Sequence, residues 1–113
     1  MLYEYRRYEV SPGRKPELDA RFKDLTLPLW EKHGMKAVGL FDVEFGTMTN
    51  EFHYILAWDS LAERERIFPR FLADPAWVEG RAASEANGPL TQRVHNQIWR
   101  PAPYSPDPLS PLK

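Results

Sequence analysis

The chain has 113 residues, 42% of them hydrophobic, with four Trp, five Tyr, six Phe and a formal charge of −1. That is the length of one domain with enough aromatic surface for a real core, which excludes a disordered chain and two independent cores. The balanced charge leaves no nucleic-acid or membrane-surface footprint, and the absence of cysteine excludes a disulfide scaffold, a Cys-ligated metal and a thiol nucleophile.

Leu2 to Val10 alternates Glu4, Arg6 and Tyr8 against Tyr3, Tyr5 and Arg7, and ends at Ser11-Pro12-Gly13, so it reads as a strand. The period then changes. Leu18, Phe22, Leu25 and Leu29 share one helical face, with Pro16 in the first turn and Gly34 as the stop. Pro28 inside that pattern predicts a kink or a break, with the helix resuming through Trp30. Met35 to Phe45 is apolar on both parities and predicts a strand covered on both faces. Phe52 to Trp58 follows as a third strand.

Ser60 and Glu63 have capping-box spacing ahead of a helix carrying Leu61, Ile67, Phe68, Phe71 and Leu72. Asp74-Pro75 opens a further short helix, which stops near Asn87-Gly88-Pro89. A last strand runs from Leu90 to about Trp99, and five prolines follow Arg100. No stretch approaches the roughly 18–20 apolar residues of a membrane span. The charged start of the chain is unlike an export signal, so a cytoplasmic location is expected.

The order is that of the ferredoxin-like fold: α+β, β-α-β-β-α-β, with an antiparallel four-stranded sheet over residues 1–100 and a Pro-rich extended arm over 101–113. Two helices cover one face of such a sheet. The apolar second face then predicts a homodimer.

Several motifs in this order resemble the NIPSNAP family: Glu4-x-Arg6-x-Tyr8, His33-Gly34, Trp58-Asp59-Ser60-Leu61 with Arg64, Phe71-x-x-Asp74-Pro75-x-Trp77, and Arg100-Pro101-x-x-Tyr104-Ser105-Pro106. The resemblance covers about residues 1 to 106. It implies a dimeric α+β barrel enclosing a cavity in each protomer, and leaves the biochemical role unassigned. The family is similar in fold to antibiotic-biosynthesis monooxygenases, some of which need no cofactor, and to haem-degrading enzymes.

The candidate ligand-binding residues are Glu4, Arg6, Tyr8, His53 and His95. Period-2 spacing puts the first three on one strand face, where Arg6 can hold a carboxylate or enolate and Glu4 can orient it. The competing reading is a buried ion pair between strands. His53 and His95 lie on different strands and can face the same cavity as general bases. His33 fits a helix C-terminus. The three histidines have no local ligand spacing, so no metal is expected. No cofactor is expected either, following the cofactor-free monooxygenases of the resembled fold.

Trp30 and Trp77 are expected to pack helices on the sheet, Trp58 and Trp99 to lie at a cavity mouth or dimer seam, and Tyr104 to anchor the arm. Glu63 to Arg66 reads as a solvated helix face. The resemblance gives Arg64 a second reading, bridging to the partner or to a helix end. Three functions follow: a small-molecule-binding dimer, a cofactor-independent monooxygenase or isomerase acting on an aromatic or polyketide-like substrate, and a structural or regulatory dimer without ligand.

Overall fold

Leu2–Val10 forms β1, where tyrosine and valine suit a pleated, half-buried surface. It is an inner strand. With β2 (Lys36–Asp42), β3 (Glu51–Trp58) and β4 (Thr91–Trp99) it makes an antiparallel sheet in the order β2-β3-β1-β4. The computed structural model describes residues 1–107. Between β1 and β2 come α1 (Lys15–Arg21), a π-helical turn (Phe22–Thr26) and α2 (Leu27–His33); after β3 come α3 (Leu61–Ala73) and α4 (Pro75–Ser84). This is the α+β ferredoxin-like architecture read from the sequence.

The disturbance expected at Pro28 lies just before it, as a widened turn. Proline lacks an N–H, and its ring presses on the carbonyl four residues back, here that of Asp24. Opening the turn relieves that pressure, and the Leu27 N–H donates to the Phe22 carbonyl five residues away. α2 then ends at Gly34, whose φ of 76° is left-handed and free of a Cβ penalty. Ser60 caps α3, accepting the Glu63 N–H at 3.1 Å. Asp74 caps α4, accepting the Ala76 N–H at 2.9 Å.

Register decides what each face carries. Glu4 pairs with Leu56, Arg6 with Tyr54 and Tyr8 with Phe52, so these residues share one face. Leu18, Phe22, Leu29, Trp30, Ile67 and Phe71 from the helices pack with Phe52, Tyr54, Leu56 and Trp58 in one core. The other face presents Tyr5, Arg7, Ile55, His53, His95 and Trp99 by the same register. There the Tyr5 and Trp99 rings stack 4.9 Å apart. No helix packs on that face among the described residues.

Two expectations are corrected. β2 stops at Asp42 rather than Phe45, its last register partner being Phe52, near the start of β3. Phe45 is 93% exposed. Tyr104, the expected anchor of the arm, is also exposed. The described part of the arm instead brings Asp107 to Tyr3, whose hydroxyl pKa is raised first by burial and then by that carboxylate. The rest of the predicted arm, residues 108–113, lies outside the described residues. No helix among the described residues is long and apolar enough to cross a membrane.

Candidate functional site

Glu4 is fully buried on the helix-facing side of β1. Its Oε1 accepts from Arg64 Nε at 2.8 Å and Trp58 Nε1 at 3.1 Å, and its Oε2 from Arg6 Nη1 at 3.0 Å and Arg64 Nη2 at 3.1 Å. Burial alone raises the Glu4 pKa, but the hydrogen bonds and charge of Arg64, joined by those of Arg6, outweigh it and hold the carboxyl below its ordinary value. Arg64 therefore bridges β1 to α3 within the chain. The two alternatives read from the sequence, a partner subunit or a helix end, give way to this contact. Trp58 likewise lies in the core beside Glu4 and not at a mouth or seam.

Beyond Glu4, Arg6 starts a chain of hydrogen bonds. Its Nε donates to the Tyr54 hydroxyl at 2.6 Å, which lies 2.8 Å from the Tyr8 hydroxyl. Burial keeps Tyr54 protonated by pushing its pKa well up. A phenol has one proton to give. Were Tyr8 to donate, the Tyr54 proton would be buried without an acceptor among the described residues. With Tyr54 donating, both hydroxyls are satisfied and Tyr8 keeps its own O–H.

Tyr8 and Arg6 line a cavity of about 270 Å³ between the sheet and the helices, with Arg21, Thr26, Trp30, Phe68 and Trp77 among its walls. Three wall residues carry a buried polar atom without a hydrogen-bond partner among the described residues: Arg21 Nε, Thr26 Oγ1 and Trp30 Nε1. The fourth such atom, Arg7 Nε, belongs to the opposite sheet face. Orphaned buried polar groups are uncommon, and three around one cavity call for something to pair with them. The π-helical turn ends at Thr26, and such turns recur at functional sites.

The other predicted residues lie elsewhere. His53 and His95 are both register partners of Arg7, so they share a face with each other but not with Glu4, Arg6 and Tyr8. His53 Nδ1 lies 2.7 Å from the Tyr5 hydroxyl, and His95 Nε2 lies 2.6 Å from Glu9. The shared cavity expected for these two histidines and the trio is thus corrected: parity within one strand does not fix the register to the next. His33 contacts Asp74 at 2.8 Å at the end of α2. No cluster able to hold a metal ion occurs among the described residues.

Arg21, Thr26 and Trp30 were missed as site residues. One signal for Arg21 was present. It sits three after Leu18 and four before Leu25, a charged residue on the apolar stripe of its helix. Its side chain is buried, with Nη1 donating to Glu85 at 3.1 Å and the guanidinium over the Trp77 ring.

The NIPSNAP family model matches residues 3–106. The chain belongs to the NIPSNAP family. A NIPSNAP family protein of unknown function from Agrobacterium tumefaciens shares 31% identity at a TM-score of 0.81, covering 94% of this chain and 92% of its own. An uncharacterized NIPSNAP domain protein from Burkholderia xenovorans shares 23% identity at a TM-score of 0.82, covering 95% of this chain and 100% of its own. A MhuD variant with two manganese protoporphyrin IX bound per active site is similar in fold, at 16% identity and a TM-score of 0.59, with 95% and 100% of the two chains covered. Among curated proteins nothing matches. For this NIPSNAP chain the relatives thus establish family and fold, and the chemistry rests on its own cavity.

Proposed function

We propose that this NIPSNAP protein is a homodimer that binds a small, partly apolar or aromatic molecule in the cavity between its sheet and its helices. The observation that carries this reading is that Arg21, Thr26 and Trp30, three side chains walling one cavity, each hold a buried polar atom without a partner among the described residues. Aromatic walls with a few convergent polar groups are the usual make-up of a small-molecule site. The dimer reading is supported by the sheet face without helices, where, beyond the end at which Tyr3 meets the arm, Tyr5, Ile55 and Trp99 lie side by side and Phe41 is 53% exposed. A second copy of the same face buries it by symmetry.

The cofactor-independent oxygenase reading needs a base inside the cavity. His53 and His95, the bases expected from the sequence, lie on the other face, and Glu4 is held as a weak base by Arg64 and Arg6. Binding is therefore preferred to catalysis. Native mass spectrometry of protein purified without added ligand tests it: a dimer carrying extra mass per protomer supports the proposal. A monomer removes the dimer from it.

A further inference from the structure

The charges around the cavity are unequal. Its walls hold three arginines, Arg6, Arg21 and Arg81, and one carboxylate, Glu85. Arg21 and Arg81 both lean on that single carboxylate, at 3.1 and 3.4 Å. Arg6 pairs with Glu4, which lies behind it and is shared with Arg64, whose remaining partner Glu65 is at the surface. A cationic wall of this kind, partly desolvated, favours an anion over a neutral or cationic guest.

The groups without partners agree with that sign. Arg21 Nε and Trp30 Nε1 can only donate, and the Thr26 hydroxyl can donate as well. The Tyr8 hydroxyl has a proton to give once Tyr54 donates to it. Three unpartnered groups thus ask for acceptors and Tyr8 has a proton to spare, while Phe68, Phe71, Leu72 and Trp77 supply an apolar remainder. A second, more open hollow of about 450 Å³ shares Leu72, Trp77, Arg81 and Glu85 with the cavity and continues it past Val78.

Resting on the ligand-binding reading above, we infer that the natural occupant is a small singly charged acid with an aromatic or aliphatic body. Its acid group takes the donors of Arg6, Tyr8, Arg21, Thr26 and Trp30, and its body runs out over Trp77 and Leu72. A volume of about 270 Å³ falls at the small end of ligand sites, which excludes large polycyclic guests from the inner part.

The test is a tryptophan-fluorescence titration of the whole chain with phenylpropionate and with phenylpropionamide, which has the same shape and no charge. The acid is expected to bind about tenfold or more tightly than the amide, the size of a charge-assisted hydrogen bond. Arg21→Gln is expected to bring the acid's affinity down to that of the amide. Thr26→Val removes an unpartnered hydroxyl with little change of shape, so it is expected to weaken the acid without lowering the melting temperature. It carries the test if Arg21→Gln does not fold. Equal or tighter binding of the amide overturns the acid assignment while leaving the cavity reading intact. Binding of neither probe overturns both. A preference for the acid that survives in every folded variant overturns the seat assigned to it.

Discussion

Arg64 grips the carboxylate of Glu4 with two hydrogen bonds, Nε to Oε1 at 2.8 Å and Nη2 to Oε2 at 3.1 Å. The side-on pair ties the inner strand β1 to α3 and sets the far wall of the cavity, because Phe68, one turn along α3, lies under both Arg64 and Arg6. Glu4→Gln leaves two guanidiniums around a neutral amide in a buried place. A loss of about 3–5 kcal/mol is expected in urea denaturation at neutral pH. Arg64→Met is expected to cost less, since Arg6 and Trp58 still hold the carboxylate. A loss below about 1 kcal/mol for Glu4→Gln contradicts the assignment.

Glu4 and Asp74, the two buried carboxyls, are expected to make the fold sensitive to acid. Both carboxyls are held below their ordinary values, Glu4 chiefly by Arg64 against the cost of burial, and Asp74 first by Lys32, then by His33 and the Ala76 N–H. A carboxyl whose pKa is depressed in the folded state stabilises fully above its unfolded value. That stabilisation drains as pH falls through the folded value. The melting temperature is therefore expected to fall below about pH 4, the unfolded range of carboxylates. In Asp74→Asn the deficit relative to the parent is expected to be full at neutral pH and to narrow between about pH 4 and pH 2. A deficit that is constant across that range assigns Asp74 no ionic role.

Tyr54→Phe takes one atom from the core and breaks the link between Arg6 and Tyr8. Arg6 Nε is then left buried without its acceptor, and a loss of about 1–3 kcal/mol is expected. Tyr8→Phe removes the acceptor of the buried Tyr54 proton, so it too is expected to cost about 1–3 kcal/mol, and to weaken phenylpropionate. A loss below about 0.5 kcal/mol for Tyr8→Phe in urea melts contradicts the direction of donation argued for the two hydroxyls.

Much of the fold can be read without coordinates, for definite reasons. Period-2 alternation places Glu4, Arg6 and Tyr8 together whatever the rest of the chain does, and Ser60, Asp74 and Gly34 mark helix ends through local chemistry alone. What depends on two segments at once is not legible. The face shared by His53 and His95 follows from their pairing with Arg7, and pairing is set by turns and bulges between strands, such as the shift between Ala37 and Gly39 in β2. Arg21 reads as a surface residue by type, and the approach of Trp77 from α4 and of Glu85 just past its end buries it. Pro28 signals trouble in the helix. Its remedy, a wider turn that ends at Thr26, depends on how the backbone relaxes.

The uncovered sheet face supplies a further prediction. Ile55 pairs with Tyr5 in register and lies on that face, next to the stacked Tyr5 and Trp99 rings. Ile55→Arg places a charge where the proposed dimer is apolar, and two copies meet across the dyad. Light scattering on a size-exclusion column is expected to give a dimer for the parent and a monomer for the variant. A parent that runs as a monomer leaves the face without the proposed cover.

A ligand received between sheet and helices is reported directly by the four tryptophans. Trp30 has an indole N–H without a partner among the described residues and Trp77 lines the cavity, whereas Trp58 donates to Glu4 and Trp99 donates to Gln97 at 2.8 Å on the far face. Their indole signals in a ¹H–¹⁵N correlation spectrum are to be followed during a phenylpropionate titration. The Trp30 and Trp77 signals are predicted to move together and saturate while that of Trp99 stays in place. A spectrum in which Trp30 does not respond, or in which Trp99 alone responds, contradicts the account.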